Sequence, residues 1–108
     1  NAGKINYGIT VSKYTGARGK GGSSDASAEL MAKIRFLFNK NNVLWHVAEL
    51  GKVDGGGGGT IAQYVANLGV DTVDCGVSVL SMHAPFEVVS KLDVYMTYRA
   101  FNVFFSEK

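Results

Sequence analysis

Apolar residues recur along this 108-residue chain in two kinds of pattern that follow each other in strict alternation, and this alternation constrains the fold most. Apolar residues at every second position, or in short continuous runs, indicate strands, and apolar residues at every third or fourth position indicate amphipathic helices. Strand patterns cover residues 5–12, 43–48 and 70–80, and helical patterns cover about residues 26–39, 60–68 and 91–105. The alternation predicts an α/β fold, a piece of a three-layer sandwich whose mainly parallel sheet carries helices on its faces.

Polar residues and glycines predict where the helices begin and end. Ser24 or Asp25 can cap the first helix, and Gly69 can end the second in the left-handed conformation. Ser90 and Asp93 form the Ser-x-x-Asp pattern of a capping box at the start of the third helix. This last helix is apolar around most of its circumference, which predicts burial on more than one side. Together with a sheet of only three strands, it indicates a part of a larger domain.

The overall composition excludes several classes of protein. A net charge of +2, from 11 basic and 9 acidic residues, is too weak to indicate a nucleic-acid-binding protein. The single cysteine, Cys75, excludes an internal disulfide framework or a cysteine-rich zinc site and fits a reducing compartment. No apolar run reaches the roughly 18 residues of a membrane span. A chain that starts at Asn1 rather than Met is expected to be processed or a piece of a longer protein.

A run of five glycines at residues 55–59, directly before a predicted helix, raises the question of phosphate binding. The P-loop motif fails because no lysine stands between Gly59 and Thr60. The dinucleotide fingerprint fails because a motif starting at Gly55 would need glycine where Thr60 stands. Two interpretations remain open: a backbone that approaches a ligand closely with its N–H groups, and a flexible loop tip.

The side chains that could act as nucleophiles or as a carboxylate pair have weak support. Cys75 lies among valines in a predicted strand, where a buried and unreactive thiol is the expected state. Asp71 and Asp74 lie three residues apart on the same predicted strand, so that they face opposite sides and cannot act as one pair.

The two histidines differ in their surroundings. His46 lies in an apolar strand, where a hydrogen-bonded histidine of the core or its boundary is expected. His83 follows a predicted strand end, and sites in open α/β sheets form at the carboxyl ends of strands. Its imidazole could bind a metal, and Glu87, four residues later, could bind either the metal or the second ring N–H. An unremarkable loop histidine beside a glutamate is the alternative.

Several segments of the sequence together resemble one enzyme family. Residues 49–61, 74–76 and 80–87 are similar to the aspartyl aminopeptidase/aminopeptidase I family of dinuclear zinc exopeptidases. Residues 12–16 and 22–26 resemble its bacterial branch, and the similarity runs over essentially the whole chain. The most specific parts are the Asp-x-x-x-Gly-x-Thr-Ile loop and the Met-His-(Ser/Ala)-x-x-Glu turn.

The resemblance assigns roles to individual residues. It implies that His83 is the last metal ligand and that Glu87 supports it from beside the metal. Ala84 stands where the family usually has serine, which weakens a hydrogen bond near the site without removing a ligand. The residues that match the substrate-binding cleft are Asp54, Gly58, Gly59, Thr60, Lys13 and Tyr14.

The resemblance also implies what residues 1–108 are and what they lack. They match the C-terminal portion of a metallopeptidase catalytic domain, and the other metal ligands, the glutamate general base and a dimerisation domain would lie upstream. No catalytic residue falls within them, so the piece alone is expected to be inactive. The whole enzyme would hold two zinc ions and remove N-terminal residues from peptides, with acidic residues as one option. It would form a cytoplasmic homo-oligomer, a dodecamer, and it would have no nucleic-acid or membrane partner.

Two other functions stay open at this point. The chain could be a non-catalytic α/β module that binds an anionic ligand or a protein partner through the glycine loop, and His83 would then be dispensable. It could also have a purely structural role in an oligomer, in which Phe101 or Phe105 of the last helix would matter and His83 would not.

Overall fold

The computed structural model describes residues 3–12, 14–15, 24–48 and 61–107. Several predicted features lie outside the described residues: Lys13, most of the basic loop after it, and the whole segment 49–60 with Asp54, Gly58, Gly59 and Thr60. In chain order the elements are β1 (Ile9–Ser12), β2 (Tyr14–Thr15), β3 (Ser24–Asp25), α1 (Ala28–Lys40), β4 (Trp45–Val47), α2 (Ile61–Ala66), β5 (Asp74–Gly76), β6 (Val79–Leu80), β7 (Val88–Val89) and α3 (Lys91–Ser106).

The central sheet has three strands in the order β4-β1-β5. Strands β1 and β4 are parallel, whereas β1 and β5 are antiparallel, with Val11 opposite Val47 on one side and Cys75 on the other. Two further pairs, β2 with β3 and β6 with β7, are antiparallel. The α/β prediction is therefore confirmed, but the prediction of a mainly parallel sheet is wrong for the described residues.

The antiparallel pairing of β5 follows from where the chain returns to the sheet. A parallel neighbour needs a connection that carries the chain back along the full length of the strand. Helix α2 has six residues, about 9 Å of rise, and the chain re-enters the sheet at the edge where β4 ended. The carboxyl ends of β1 and β4 therefore lie at the same edge as the beginning of β5.

One face of this sheet carries the core. Ile9 and Val11 are fully buried and alternate with half-buried residues along β1. They pack against Ile34, Leu37 and Phe38 of α1 and against Ala100 of α3. In the described residues, α1 and α3 thus cover one face of the sheet, and the three-layer sandwich stays a prediction.

The turn that precedes β1 interrupts the strand predicted from residue 5. Asn6 and Gly8 have φ angles of 72° and 88°, in the left-handed region, so that the chain cannot continue as extended strand through them. A Cβ atom at position 8 would collide with the carbonyl group of Leu44. Gly8 therefore allows both the turn and the close approach to the backbone before β4.

The N-cap of helix α1 lies two or three residues after the predicted cap. Ser24 and Asp25 form β3, and Ser27 is the N-cap, since its hydroxyl accepts the Leu30 N–H at 3.1 Å. The backbone of Ser27 is extended, which is the conformation a capping residue needs. Gly69, by contrast, ends the turn after α2 with a φ of 80°, as predicted.

The predicted third strand is divided in two. Residues 74–76 join the central sheet as β5, whereas residues 79–80 form β6 and pair with β7. Residues 81–89, predicted to be a loop, therefore contain the turn and the second strand of a hairpin. Gly76 ends β5, and residues 77 and 78 separate the two strands. The apolar alternation of the sequence therefore continues although the chain passes from one sheet to another.

Helix α3 keeps its predicted extent but leaves much of its apolar surface exposed. Its exposed large apolar residues are Leu92, Val94, Tyr95, Tyr98, Phe101, Phe104 and Phe105. Among the described residues, no helix has both the length and the apolar character that crossing a membrane requires.

Candidate metal-binding turn

The β6–β7 hairpin carries His83 at its tip. The Ala84 N–H donates to the Ser81 carbonyl oxygen at 3.0 Å, which closes a four-residue turn around Met82 and His83. His83 occupies the third position of this turn with a φ of 70°. A type II turn requires a positive φ at that position and usually has glycine there, so a histidine in it carries a conformational cost of about 1 kcal/mol or more.

Glu87 contacts the backbone of this turn. Its Oε1 accepts the backbone N–H of His83 at 2.6 Å, a short hydrogen bond. The sequence prediction paired Glu87 with a metal or with the imidazole, whereas in the structure its described hydrogen bond goes to the main chain. A role of Glu87 beside a metal stays a prediction.

The imidazole of His83 is exposed and, within the described residues, neither of its ring nitrogens has a hydrogen-bond partner. A neutral imidazole with a free nitrogen is a good zinc donor, so this side chain fits one position of a zinc site. No group of three or more histidine, cysteine or acidic side chains among the described residues could hold a metal together. The remaining ligands of such a site would have to come from elsewhere.

Both ends of the hairpin are hydrogen-bonded to the segment around β1. Before β6, the hydroxyl groups of Ser78 and Thr10 lie 2.7 Å apart. After β7, the Ser90 hydroxyl donates to the side-chain oxygen of Asn6. The hairpin is therefore fixed at its two bases to the first strand and to the turn before it.

Asp93 makes the main link between α3 and the turn that precedes β1. It is completely buried, and its two carboxylate oxygens accept the N–H groups of Asn6 and Gly8 at 2.9 Å each. The predicted capping box is therefore wrong: Ser90 is the N-cap, but neither side chain makes the capping hydrogen bonds. The short motif matched, yet the carboxylate bonds to backbone groups far away in the sequence, which a local motif cannot indicate.

His46 is a fully hydrogen-bonded boundary histidine, as predicted. Its Nε2 accepts the Lys4 N–H at 3.0 Å, and its Nδ1 lies 3.1 Å from the Tyr7 carbonyl oxygen. The Nδ1 atom therefore carries the proton, because the carbonyl can only accept. The Thr10 hydroxyl is a second neighbour of Nε2, at 3.3 Å. With both ring nitrogens occupied, His46 has no free donor for a metal.

Cys75 is half-buried, whereas the sequence predicted a buried thiol. Burial, and then the nearby charge of Asp74, raise the pKa of the Cys75 thiol. The side chain lines an apolar cleft of about 230 Å³ together with Ile34 and Phe101. A thiol held in its neutral form among apolar neighbours is a poor nucleophile, so Cys75 has no catalytic features.

The antiparallel direction of β5 affects where the predicted site residues lie. The hairpin of His83 leaves the sheet beside the beginning of β1, whereas β1 and β4 end at the opposite edge. Tyr14 lies beyond that opposite edge in β2, where its backbone pairs with Asp25. The carboxyl end of β5 therefore does not lie beside the carboxyl ends of β1 and β4.

Comparisons with known proteins agree on one family. The family model described as "Aminopeptidase I zinc metalloprotease (M18)" matches residues 1–105. A probable M18 family aminopeptidase 1 of Borreliella afzelii is 53% identical over 107 residues, 99% of this chain and 23% of the relative.

Solved structures give the same result. The crystal structure of the M18 aminopeptidase from Thermotoga maritima superimposes with a TM-score of 0.89 at 51% identity, over 95% of this chain and 23% of that one. Aminopeptidase I from Clostridium acetobutylicum gives a TM-score of 0.89 at 49% identity, over 96% of this chain and 23% of that one. The chain thus spans about a quarter of the length of the proteins that it matches.

Proposed function

This chain belongs to the M18 family of aminopeptidase I zinc metalloproteases, and we propose that it acts as part of a zinc-dependent aminopeptidase that removes N-terminal residues from peptides. The relatives that it matches at about half identity are named as aminopeptidases of this family. We further propose that residues 1–108 form the C-terminal portion of the catalytic domain of such an enzyme. The third layer of the sandwich, the other metal ligands and the glutamate base would then come from the remainder of that domain.

The observation that carries this proposal is the turn at His83. Its imidazole is exposed with both nitrogens free among the described residues, while its turn is closed by the hydrogen bond from Ala84 to Ser81 and its own N–H donates to Glu87. The other histidine, His46, is fully hydrogen-bonded, so that of the two histidines His83 is the one that fits a zinc ligand. When bound, zinc supplies a Lewis acid that polarises the peptide carbonyl and activates water.

The residues of this chain would hold the metal and the substrate. His83 would bind one zinc ion through a ring nitrogen. The backbone N–H groups of the loop with Asp54, Gly58, Gly59 and Thr60 would bind the main chain of the peptide and the negative charge that develops on its carbonyl oxygen.

Several finer features belong to the same proposal. Lys13 and Tyr14 would line the mouth of the cleft, and acidic residues would be among the N-terminal residues removed. The whole enzyme would hold two zinc ions and form a cytoplasmic homo-oligomer, a dodecamer. The single half-buried cysteine supports a reducing compartment.

The proposal can be tested on the protein at its natural full length. We expect an intact mass several times 11.5 kDa, bound zinc, and aminopeptidase activity that a chelator removes and added zinc restores. His83→Ala should lose zinc and nearly all activity, whereas the matched control His46→Gln, which keeps an acceptor for the Lys4 N–H, should keep both. Wild-type zinc content and activity in His83→Ala would overturn the proposal and leave the non-catalytic binding module as the alternative.

A further inference from the structure

The geometry points to Glu87 as a positioning residue for His83 that acts through the backbone of the turn and not through the metal or the imidazole. This inference rests on the proposed function, because only there is His83 a metal ligand. The contact of Glu87 with the backbone differs from the contact expected from the sequence, which was with the metal or the imidazole N–H. The carboxylate Oε1 lies 2.6 Å from the His83 backbone nitrogen, and it fixes the residue that bears the ligand.

The turn leaves a donor that Glu87 can satisfy. In a turn closed between Ser81 and Ala84, the N–H of the third residue, His83, is not part of the closing hydrogen bond. An ionised carboxylate that accepts this N–H favours the left-handed backbone that His83 adopts, at a φ of 70°. Glu87 therefore offsets the cost of placing a side chain where glycine is usually found.

The contact also determines the direction of the ligand. Once φ at His83 is fixed, the Cα–Cβ bond has one direction, and rotation about the side-chain torsions is all that remains before zinc binds. The hairpin tip is exposed, with Met82 and Phe86 exposed by 54% and 87%, so few packing contacts hold it. Because the carboxylate bonds to the main chain, both ring nitrogens stay available to the metal.

Two variants separate this role from direct contact with the metal. Glu87→Ala removes the acceptor altogether, whereas Glu87→Gln keeps a carbonyl oxygen that can accept the same N–H but lacks the charge. Glu107→Ala is the matched control, since Glu107 is also an exposed glutamate and its side chain has no described contact.

The first measurement is zinc affinity, by competition with a chromophoric chelator, on the protein at its natural full length. We expect Glu87→Ala to bind zinc about 10- to 100-fold more weakly, the range found when support of a metal ligand is lost. Glu87→Gln should lose only about threefold to tenfold, because a neutral acceptor is roughly half as strong as a charged one, which halves the loss in free energy. Glu107→Ala should match the wild type.

The second measurement is hydrogen exchange of the His83 backbone amide in the metal-free protein. Protection should be lost in Glu87→Ala and largely kept in Glu87→Gln. An equal loss of zinc affinity in both variants, or unchanged amide exchange in Glu87→Ala, would overturn the inference. If His83→Ala loses zinc while Glu87→Ala binds it normally, the inference alone fails; if His83→Ala binds zinc normally, the proposed function fails.

Discussion

Replacing Asp93 should release the turn that precedes β1. The carboxylate is fully buried and accepts two backbone N–H groups, from Asn6 and Gly8, at 2.9 Å each. Asp93→Asn keeps the size but turns one acceptor into an NH2 group, which faces an N–H donor and leaves it unsatisfied. A hydrogen bond to a charged group contributes about 1.5–3 kcal/mol, so we expect the turn to lose about 2–3 kcal/mol of local stability.

Hydrogen exchange measured by mass spectrometry reports this loss directly. A loss of 2–3 kcal/mol corresponds to roughly 30- to 150-fold faster exchange of the amides in residues 3–12, at about 1.4 kcal/mol per factor of ten. Amides of α1 serve as an internal reference, since the described side-chain hydrogen bonds of Asp93 go to Asn6 and Gly8 and not to α1. The matched control is Asp71→Asn, an exposed aspartate, for which about twofold or less is expected.

The outcome that would refute this reasoning is unchanged exchange in residues 3–12 of Asp93→Asn. The buried carboxylate would then contribute nothing to the turn, and Ser90 and His46 would be sufficient to hold it. Equal acceleration in α1 would contradict the local mechanism in a different way, because it would mean that Asp93 stabilises the whole domain.

Two further predictions concern the glycines of left-handed backbone and the buried thiol. Gly69→Ala should cost about 1 kcal/mol of unfolding free energy, since its φ is 80° but the space around it is open. Gly8→Ala should cost more than about 3 kcal/mol, because the added Cβ also collides with the Leu44 carbonyl. Equal losses for the two variants in denaturant titrations would show that the collision is relieved. The raised pKa of Cys75 means that the folded state keeps its thiol neutral, so the free energy of unfolding should be unaffected below the ordinary thiol range and fall as pH rises toward the raised value. Alkylation of Cys75 by iodoacetamide should be slower in the native protein than in denaturant, and alkylation at equal rates would contradict the raised pKa. Cys75→Ala should remove the thiol's contribution to the fall in unfolding free energy at alkaline pH.

The sequence predicted the elements that depend on local patterns. Helix α3 begins at Lys91 as predicted, and Gly69 adopts the left-handed conformation that its position indicated. The strand predicted from residue 5 begins only at Ile9, because Ile5 and Tyr7, although they fit the apolar alternation of a strand, lie in the turn before it. Gly8 was the signal of that interruption, since a glycine within a strand pattern often marks a bend.

Features that depend on contacts distant in sequence could not be predicted in this way. The direction of β5 depends on which edge of the sheet the chain returns to, and neither periodicity nor strand length contains that information. The Ser90–Asp93 motif predicted a local cap, whereas the carboxylate pairs with amides 85 and 87 residues away. For the candidate site, the residue types of His83 and Glu87 were sufficient to single them out, but the backbone contact between them needed coordinates.

The span between Asp93 and the turn that it holds also matters while the chain is being synthesised. Strand β1 emerges from the ribosome long before α3, and until then the amides of Asn6 and Gly8 lack their acceptors. Contacts of such sequence separation form late, because the loop between them must close first. A nascent chain that has not yet reached residue 93 therefore holds the turn before β1 without its two carboxylate acceptors, and Ile9 and Val11 still lack the cover of α3.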